Sequence, residues 1–309
     1  MTTLQENAET PQVAAVIGLG AMGMGMALSL RKAGFDVIGI DISADAVSRF
    51  VQAGGRSASS IAEAAKEADI VVSVVVNAAQ TESVLFGAGG IAGVMRPGSV
   101  FISSATMDPA VAGKLAAQLE ARAVHYLDAP ISGGAARAAS GELTVMASGT
   151  KAAFSAARRA LDAMAAKVYE LGETAGAGAA FKMINQLLAG VHIAAACEAI
   201  SLAAKLGLDL DKVYEVITAS AGNSWMFENR IPHVLAGDYT PLSAIDIFVK
   251  DLGIIQDMAR SERYPVPLSA AALQMYLAAS GAGMGRDDDS SLARLYAQLS
   301  GASLPEKTR

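Results

Sequence analysis

Short apolar runs alternate with amphipathic stretches through the first half of the chain. The runs at 13–17, 37–40, 70–76, 100–103, 124–128 and 143–147 are rich in Val and Ile and read as strands. Several are apolar at every position, as strands covered on both faces are, which points to a parallel sheet. Between them, 21–33, 44–53, 61–68 and 109–122 carry helical patterns. Strand–helix alternation predicts βαβ units. Right-handed crossovers then give an α/β Rossmann-like, doubly wound sheet.

The pattern changes near residue 172. After the stretch GETAGAG no strand pattern appears. Residues 179–206 read as one helix ended by Gly207, about 42 Å long at 1.5 Å per residue. Further helices are expected at 209–220, 226–236, 243–262 and 267–280, with Asp209 and Ser243 as N-caps. The sequence therefore predicts two domains. Residues 11–174 form the α/β domain, and 175–300 form an all-α domain built around a long interdomain helix. The polar first ten residues read as a loose start, and the residues after about 301 as a tail.

Composition narrows the function classes. The 309 residues include 24 Lys and Arg against 30 Asp and Glu, a net charge of −6, which argues against nucleic acid as a partner. Charged residues are 17% and hydrophobic residues 52%, so disorder is not the main state. One cysteine excludes an internal disulfide framework and a Cys-rich zinc site. His125, His192 and His233 are too scattered to suggest a metal, and none is expected. A reducing, cytoplasmic setting fits best. A mean hydropathy of +0.37 raises the membrane question. The uncharged runs at 10–30 and 264–285 are broken by glycines, prolines and polar residues, so neither reads as a spanning helix. No basic segment precedes the first, so no secretory signal is expected.

The clearest motif is Gly18-Leu-Gly20-Ala21-Met22-Gly23, placed between a predicted strand and a predicted helix. Glycines there permit a tight turn, close approach of backbone to a pyrophosphate, and close helix–strand packing. Asp41 ends the second strand eighteen residues past Gly23. A carboxylate there takes ribose hydroxyls and repels a 2′-phosphate, which favours NAD over NADP. The alternative is a surface Asp capping the next helix. Asn77 and Thr106 follow strands at their C-terminal ends, where ligands bind in open α/β sheets. Each reads equally well as a turn or helix-cap residue. Ser132, Gly133 and Gly134 offer a hydroxyl and successive amides for a carboxylate, or a plain Gly-rich turn.

Lys182 and Asn185 share one face of the long helix. A lysine emerging among apolar neighbours is a candidate acid/base, with desolvation and a second cation, Lys250, lowering its pKa. The alternative is a snorkelling lysine. His192 and Cys197 read as core residues. Asn223 and Ser224 lie in a segment dense in hydrogen-bonding groups, either a substrate-facing loop or a capped helix–helix turn.

GLGAMGMGMA, DAPISGG, the Lys182–Asn185 pair after GAGAAF, and Lys250-Asp251-Leu252 together resemble the 3-hydroxyisobutyrate (β-hydroxyacid) dehydrogenase family over nearly the whole chain. Longer strings, VVNAAQTESVLFG, QLLAGVHIAAACEA and GNSWMFENRIPHVLAGDYTPLSAIDIFVKDLG, are similar to its L-threonate-oxidising branch. The resemblance implies NAD-dependent oxidation of a small sugar acid, L-threonate at C2, with Lys182 as general base and Asn185 orienting substrate. It places Ser132, Gly133 and Gly134 at the substrate carboxylate, Thr106 near the nicotinamide, and Lys250 near cofactor and substrate. Asn223 and Ser224 would then meet the extra hydroxyls. Two positions depart from the family pattern: its Ser-Thr pair reads Ala105-Thr106, and its Asn-Asn pair reads Asn185-Gln186. Simpler readings within the family are oxidation of 3-hydroxyisobutyrate or reduction of tartronate semialdehyde. A non-catalytic dinucleotide-binding scaffold is the reading from another class, and the presence of Lys182 weighs against it. The Ala-rich helical domain makes a homo-oligomer, dimer or tetramer, the expected assembly.

Overall fold

The computed structural model describes residues 11–307, so the polar start at 1–10 lies outside the described residues. The chain forms two compact units that divide between Lys182 and Met183.

The first unit runs β1 (Val13–Ile17), α1 (Gly23–Lys32), β2 (Asp36–Ile40), α2 (Ala44–Gln52), α3 (Ile61–Glu67), β3 (Ile70–Ser73), α4 (Ala78–Phe86), β4 (Val100–Ser103), α5 (Pro109–Glu120) and β5 (His125–Asp128). It continues through β6 (Ile131–Ser132), α6 (Gly134–Ser140), β7 (Leu143–Ala147), α7 (Lys151–Met164) and β8 (Ala165–Glu170). Five strands form an all-parallel sheet in the order β2-β1-β3-β4-β5. Chain order reverses at β1, whose neighbours are β2 and β3. The crevice outside the C-terminal ends of β1 and β3 is thus the switch point where such sheets take ligands.

Alternation along the strands builds two cores. Ala14, Val16, Val72, Ile102 and Leu127 face one side, with Leu30 of α1 and Leu161 of α7. Ala15, Ile17, Val71, Phe101 and Tyr126 face the other, with Ala64 of α3 and Leu115 of α5. This two-residue period, with both faces covered, is why the strands read as continuous apolar runs.

The expected sixth strand of this sheet belongs elsewhere. β7 pairs with β6 antiparallel and with β8 parallel in a separate three-stranded sheet, touching β5 through an Asp128–Ser148 bridge. The sequence pattern gives no strand at β8, because its residues AAKVYE are half-buried or exposed throughout and present no apolar run.

The second unit takes up most of α8 (Ala177–Lys205). It adds α9 (Leu210–Thr218), α10 (Trp225–Ala236), α11 (Ile245–Ser261), α12 (Pro267–Ala279) and α13 (Leu292–Ser300). Its core gathers Met183, Ile193, Cys197 and Ile200 of α8 with Phe227, Ile231, Phe248, Leu252, Tyr276 and Leu292. Asp209 caps α9 as expected. Ser243 does not cap α11: Ala244 holds that position, and the Ser243 carbonyl instead accepts from Asp289 N at 2.7 Å. Residues 302–307 are not a loose tail, since Leu304 packs on this core and Lys307 pairs with Asp238 at 3.1 Å. α8 is long and apolar enough to span a bilayer, but half of its most apolar window is buried, as in a core helix.

Candidate active site

The glycine motif occupies the turn from β1 to α1. Gly18 has φ +96°, and a Cβ there would lie 2.6 Å from the Val74 carbonyl oxygen. A Cβ at Gly23 would lie 1.8 Å from the Gly18 carbonyl oxygen, so α1 can pack this close only with glycine. By contrast, a Cβ at Gly20 would meet nothing within 4 Å, and the backbone there faces open space. No side chain caps α1 and its first turn carries no acid, so Gly20, Ala21 and Met22 open a helix end that attracts an anion.

Asp41 follows β2 and joins this turn. Its Oδ2 accepts from Leu19 N at 2.6 Å and its Oδ1 from Ser43 N at 2.8 Å. The alternative of a capping Asp41 fails, because Ser43 caps α2 through Ala46 N. The carboxylate is thus fixed beside the glycine turn. The donor set fits a nicotinamide dinucleotide: Gly20 leaves room for a pyrophosphate, the helix opening supplies donors, and Asp41 supplies a ribose acceptor.

Asn77 and Thr106 lie after β3 and β4. Asn77 caps α4, its Oδ1 accepting from Gln80 N at 2.9 Å. Thr106 is not a cap, since Asp108 caps α5. Beside it, Ala105 is buried in the second core of the first unit. The departure from the family's Ser-Thr pair therefore falls among core side chains.

Ser132 ends β6, and Gly133 and Gly134 follow at φ +134° and +77°. Asp128, at the head of the same DAPISGG string, has a role the sequence did not disclose. Its buried Oδ2 accepts from Gly176 N at 2.9 Å, Ala179 N at 2.8 Å and Ser148 Oγ at 3.2 Å. Ser148 Oγ in turn accepts from Gly178 N at 2.9 Å. The carboxylate thus satisfies donors of the first turn of α8. Burial pushes the Asp128 carboxyl above the usual carboxylate range, against those hydrogen bonds. The approach is close: a Cβ at Gly178 would lie 2.3 Å from the Met146 carbonyl oxygen.

This anchor sets the start of the helix that carries Lys182. Lys182 is 8% exposed while Phe181 and Ile184 are 54% and 63% exposed, so the lysine points inward and does not snorkel. Asn185 lies three residues on, on the same face. Cys197 is a core residue, its thiol raised by burial. His192 is not; it is exposed, because the five-residue step to Cys197 crosses the helix.

In the second unit Lys250 Nζ lies 2.6 Å from Asp251 Oδ1. Its charge is compensated there, which weakens its expected role as a bare second cation. Asp251 Oδ2 accepts from Gln186 Nε2 at 2.6 Å, and Gln186 Oε1 accepts from Asn185 Nδ2 at 3.0 Å. Ser224 caps α10 through Phe227 N at 3.1 Å. Asn223 Nδ2 spans to Thr218 O at 3.2 Å and Glu228 Oε1 at 2.5 Å, leaving its buried Oδ1 without a hydrogen-bond partner among the described residues. Both residues therefore serve the turn, and that oxygen remains to receive a donor.

Comparison with known proteins accounts for both units. Residues 13–172 match the NAD binding domain of 6-phosphogluconate dehydrogenase, and residues 176–296 match the family described as NAD-binding of NADP-dependent 3-hydroxyisobutyrate dehydrogenase. The chain belongs to the 3-hydroxyisobutyrate dehydrogenase family. It is accordingly an oxidoreductase that uses a nicotinamide dinucleotide. Within the family, an L-threonate dehydrogenase of Cupriavidus necator is 56% identical, covering 94% of this chain and 97% of its own length. An L-threonate dehydrogenase of Escherichia coli K12 is 48% identical, over 94% and 95% of the two chains. A crystal structure from Salmonella typhimurium, named 3-hydroxyisobutyrate dehydrogenase, superposes with a TM-score of 0.88 at 50% identity, over 92% of this chain and 99% of that one.

Proposed function

We propose that this member of the family oxidises L-threonate at C2 to 2-dehydro-L-erythronate, with NAD as acceptor. The observation that carries the reading is the inward Lys182 with Asn185 three residues on, on a helix whose start is pinned by Asp128. Relatives named L-threonate dehydrogenase at 48–56% identity support the choice of acid.

The bound nicotinamide supplies the hydride acceptor. This chain's residues hold the acid and move its proton. The Ser132 hydroxyl and the amides at Gly133 and Gly134 bind the carboxylate. Asn185 orients the C2 hydroxyl, and neutral Lys182 takes its proton at Nζ as the C2–H bond breaks and C2=O forms. Asn223 Oδ1 and Ser224 Oγ receive the distal hydroxyls. Asn77 and Thr106 serve the cofactor, as does Lys250 of the second unit, and Asp41 holds the adenosine ribose and disfavours a 2′-phosphate. The described chain offers an exposed apolar row on α8, including Ile184, Leu188 and Leu202, which supports a homo-oligomer. One buried cysteine and a diffusible cofactor support a cytoplasmic setting.

The name carried by the Salmonella structure favours a second reading, oxidation of 3-hydroxyisobutyrate. Initial rates of NADH formation with four-carbon sugar acids, 3-hydroxyisobutyrate and D-glycerate separate the two. The proposal requires kcat/KM to be highest for L-threonate, by at least tenfold. A preference for 3-hydroxyisobutyrate overturns the substrate and the hydroxyl-binding role of Asn223 and Ser224.

A further inference from the structure

Gly25 lies in the interior of α1, where glycine is disfavoured against alanine by its backbone entropy. The contact it makes accounts for it. A Cβ there would lie 2.6 Å from Ala139 N, 2.7 Å from the Ala138 carbonyl carbon and 3.0 Å from Ala138 Cβ. The two shortest contacts are to backbone, which cannot swing aside as the end of a side chain can. α1 and α6 therefore meet backbone to backbone at Gly25. One turn on, Ser29 Oγ donates to Ala138 O at 3.0 Å, and Ala139 O at 3.4 Å shares the bond. Both carbonyls belong to the last turn of α6, which has no intrahelical donor for them.

α6 has little else to place it. It buries Ala138, in the first core, and leaves its remaining residues exposed or half-exposed. α1 by contrast buries Gly23, Gly25, Met26, Ala27, Ser29 and Leu30, and its start is fixed by the Gly18–Gly23 contact. When this contact is crowded, α6 yields and α1 stays. Ser132 does not move with α6, because β6 holds it opposite Thr144 of β7. The displacement falls instead on Gly133 and Gly134, at φ +134° and +77°. The seat of α6 on α1 thus sets where the amides at 133 and 134 point relative to the Ser132 hydroxyl.

We propose that Gly25 and Ser29 are positioning residues that tie segment 132–134 to α1, so that the helix whose opening takes the cofactor pyrophosphate also sets where the carboxylate of the acid is held. The inference rests on the reading of Ser132, Gly133 and Gly134 as the carboxylate-binding segment. It gives position 25 a requirement for glycine although no ligand touches it. It also separates two effects of α1: a change at its α6 contact alters use of the acid and spares affinity for the cofactor.

Gly25→Ala tests this in two ways. A crystal structure of the variant with NAD should show α6 and the backbone at 133–134 displaced by about 1 Å, the opening that relieves a 2.6 Å contact, with α1 in its parental place. In steady state, KM for the best hydroxy acid should rise tenfold or more, while the Kd for NADH, read by fluorescence, stays within threefold of the parent. An undisplaced α6, or a displaced α1, overturns the tie and leaves the proposed function standing. A displaced α6 with KM within twofold of the parent overturns the inference and removes segment 132–134 from acid binding. A Kd for NADH that rises as far as KM overturns it as well, since it marks general damage to the unit. If no acid on the panel is a substrate, the proposed function fails separately, and the structure of the variant still decides the tie. Should Gly25→Ala not fold, Ser29→Ala adds no atom and removes only the bond to α6. It should raise KM about threefold to tenfold with the Kd for NADH unchanged, and equal changes in both, or none in either, overturn the tie.

Discussion

Asp128 Oδ2 accepts the backbone N–H of Ala179 at 2.8 Å, and this bond ties the end of β5 to the first turn of α8. Lys182 follows Ala179 by three residues, so the position of the proposed base depends on a carboxylate that touches no substrate. Asp128→Ala leaves two buried N–H groups, of Gly176 and Ala179, without their acceptor. The expected cost is about 2–4 kcal/mol, seen as a lowered melting temperature together with a fall in kcat. Asp128→Asn, which keeps an acceptor oxygen, should recover most of both. An unchanged melting temperature in Asp128→Ala would show that the helix start is held by other contacts.

Lys182→Met keeps the length of the side chain and removes its proton-accepting nitrogen. As the general base, Lys182 should be worth about 10²–10⁴-fold in kcat, with NADH binding preserved. Steady-state rates beside a fluorescence titration of the cofactor check this. A variant that retains a tenth or more of the parental kcat would remove Lys182 from the chemistry.

Asp41 is held by Leu19 N and Ser43 N, so its carboxylate is oriented before any cofactor arrives. Asp41→Ala should raise the KM for NAD by about 10–100-fold, as expected for losing a charged hydrogen-bond acceptor worth roughly 1.5–3 kcal/mol. It should also narrow the preference for NAD over NADP. Parallel kinetics with both cofactors give the ratio, and an unchanged ratio would mean that Asp41 does not discriminate.

Asp289 supplies a pH dependence. It is fully buried and bonded to Arg230 at 2.6 Å, and burial, only partly offset by Arg230, pushes its carboxyl up to about 6. The folded state therefore keeps a proton that the unfolded chain releases near pH 4. The contribution of this group is full below that value and is lost as pH rises through about 6. In melts from pH 4 to pH 7, the parent should lose stability relative to Asp289→Asn, which does not titrate. A parent that instead gains on the variant would show that the Arg230 pair outweighs burial.

Much of this was legible because it is local. The strands β1 to β5 each carry apolar residues on both faces since both faces are covered, and the Gly18–Gly23 turn sits where its spacing puts it. Asp41 was readable for the same reason, as the residue that follows β2. Other features were not local. Asp128 finds Ala179 from 51 residues away and Gln186 finds Asp251 from 65, and no spacing rule connects either pair. β8 escaped because half-exposed residues such as Lys167 and Tyr169 hide a strand's alternation. α7 was legible and was missed: Ala153, Phe154, Ala157, Ala160, Leu161 and Met164 trace one buried helical face. Position 192 misled because periodicity around a long apolar helix is weak, so an exposed histidine and the buried Cys197 looked alike.

The central claim is that hydride leaves C2 of L-threonate. The most direct test is oxidation of L-threonate carrying deuterium at C2, followed by mass spectrometry of the reduced cofactor. The account predicts reduced NAD with one deuterium and a primary isotope effect on the chemical step, while substrate labelled at C3 gives unlabelled NADH. Deuterium arriving from C3, or no reduced cofactor from either substrate, would contradict it.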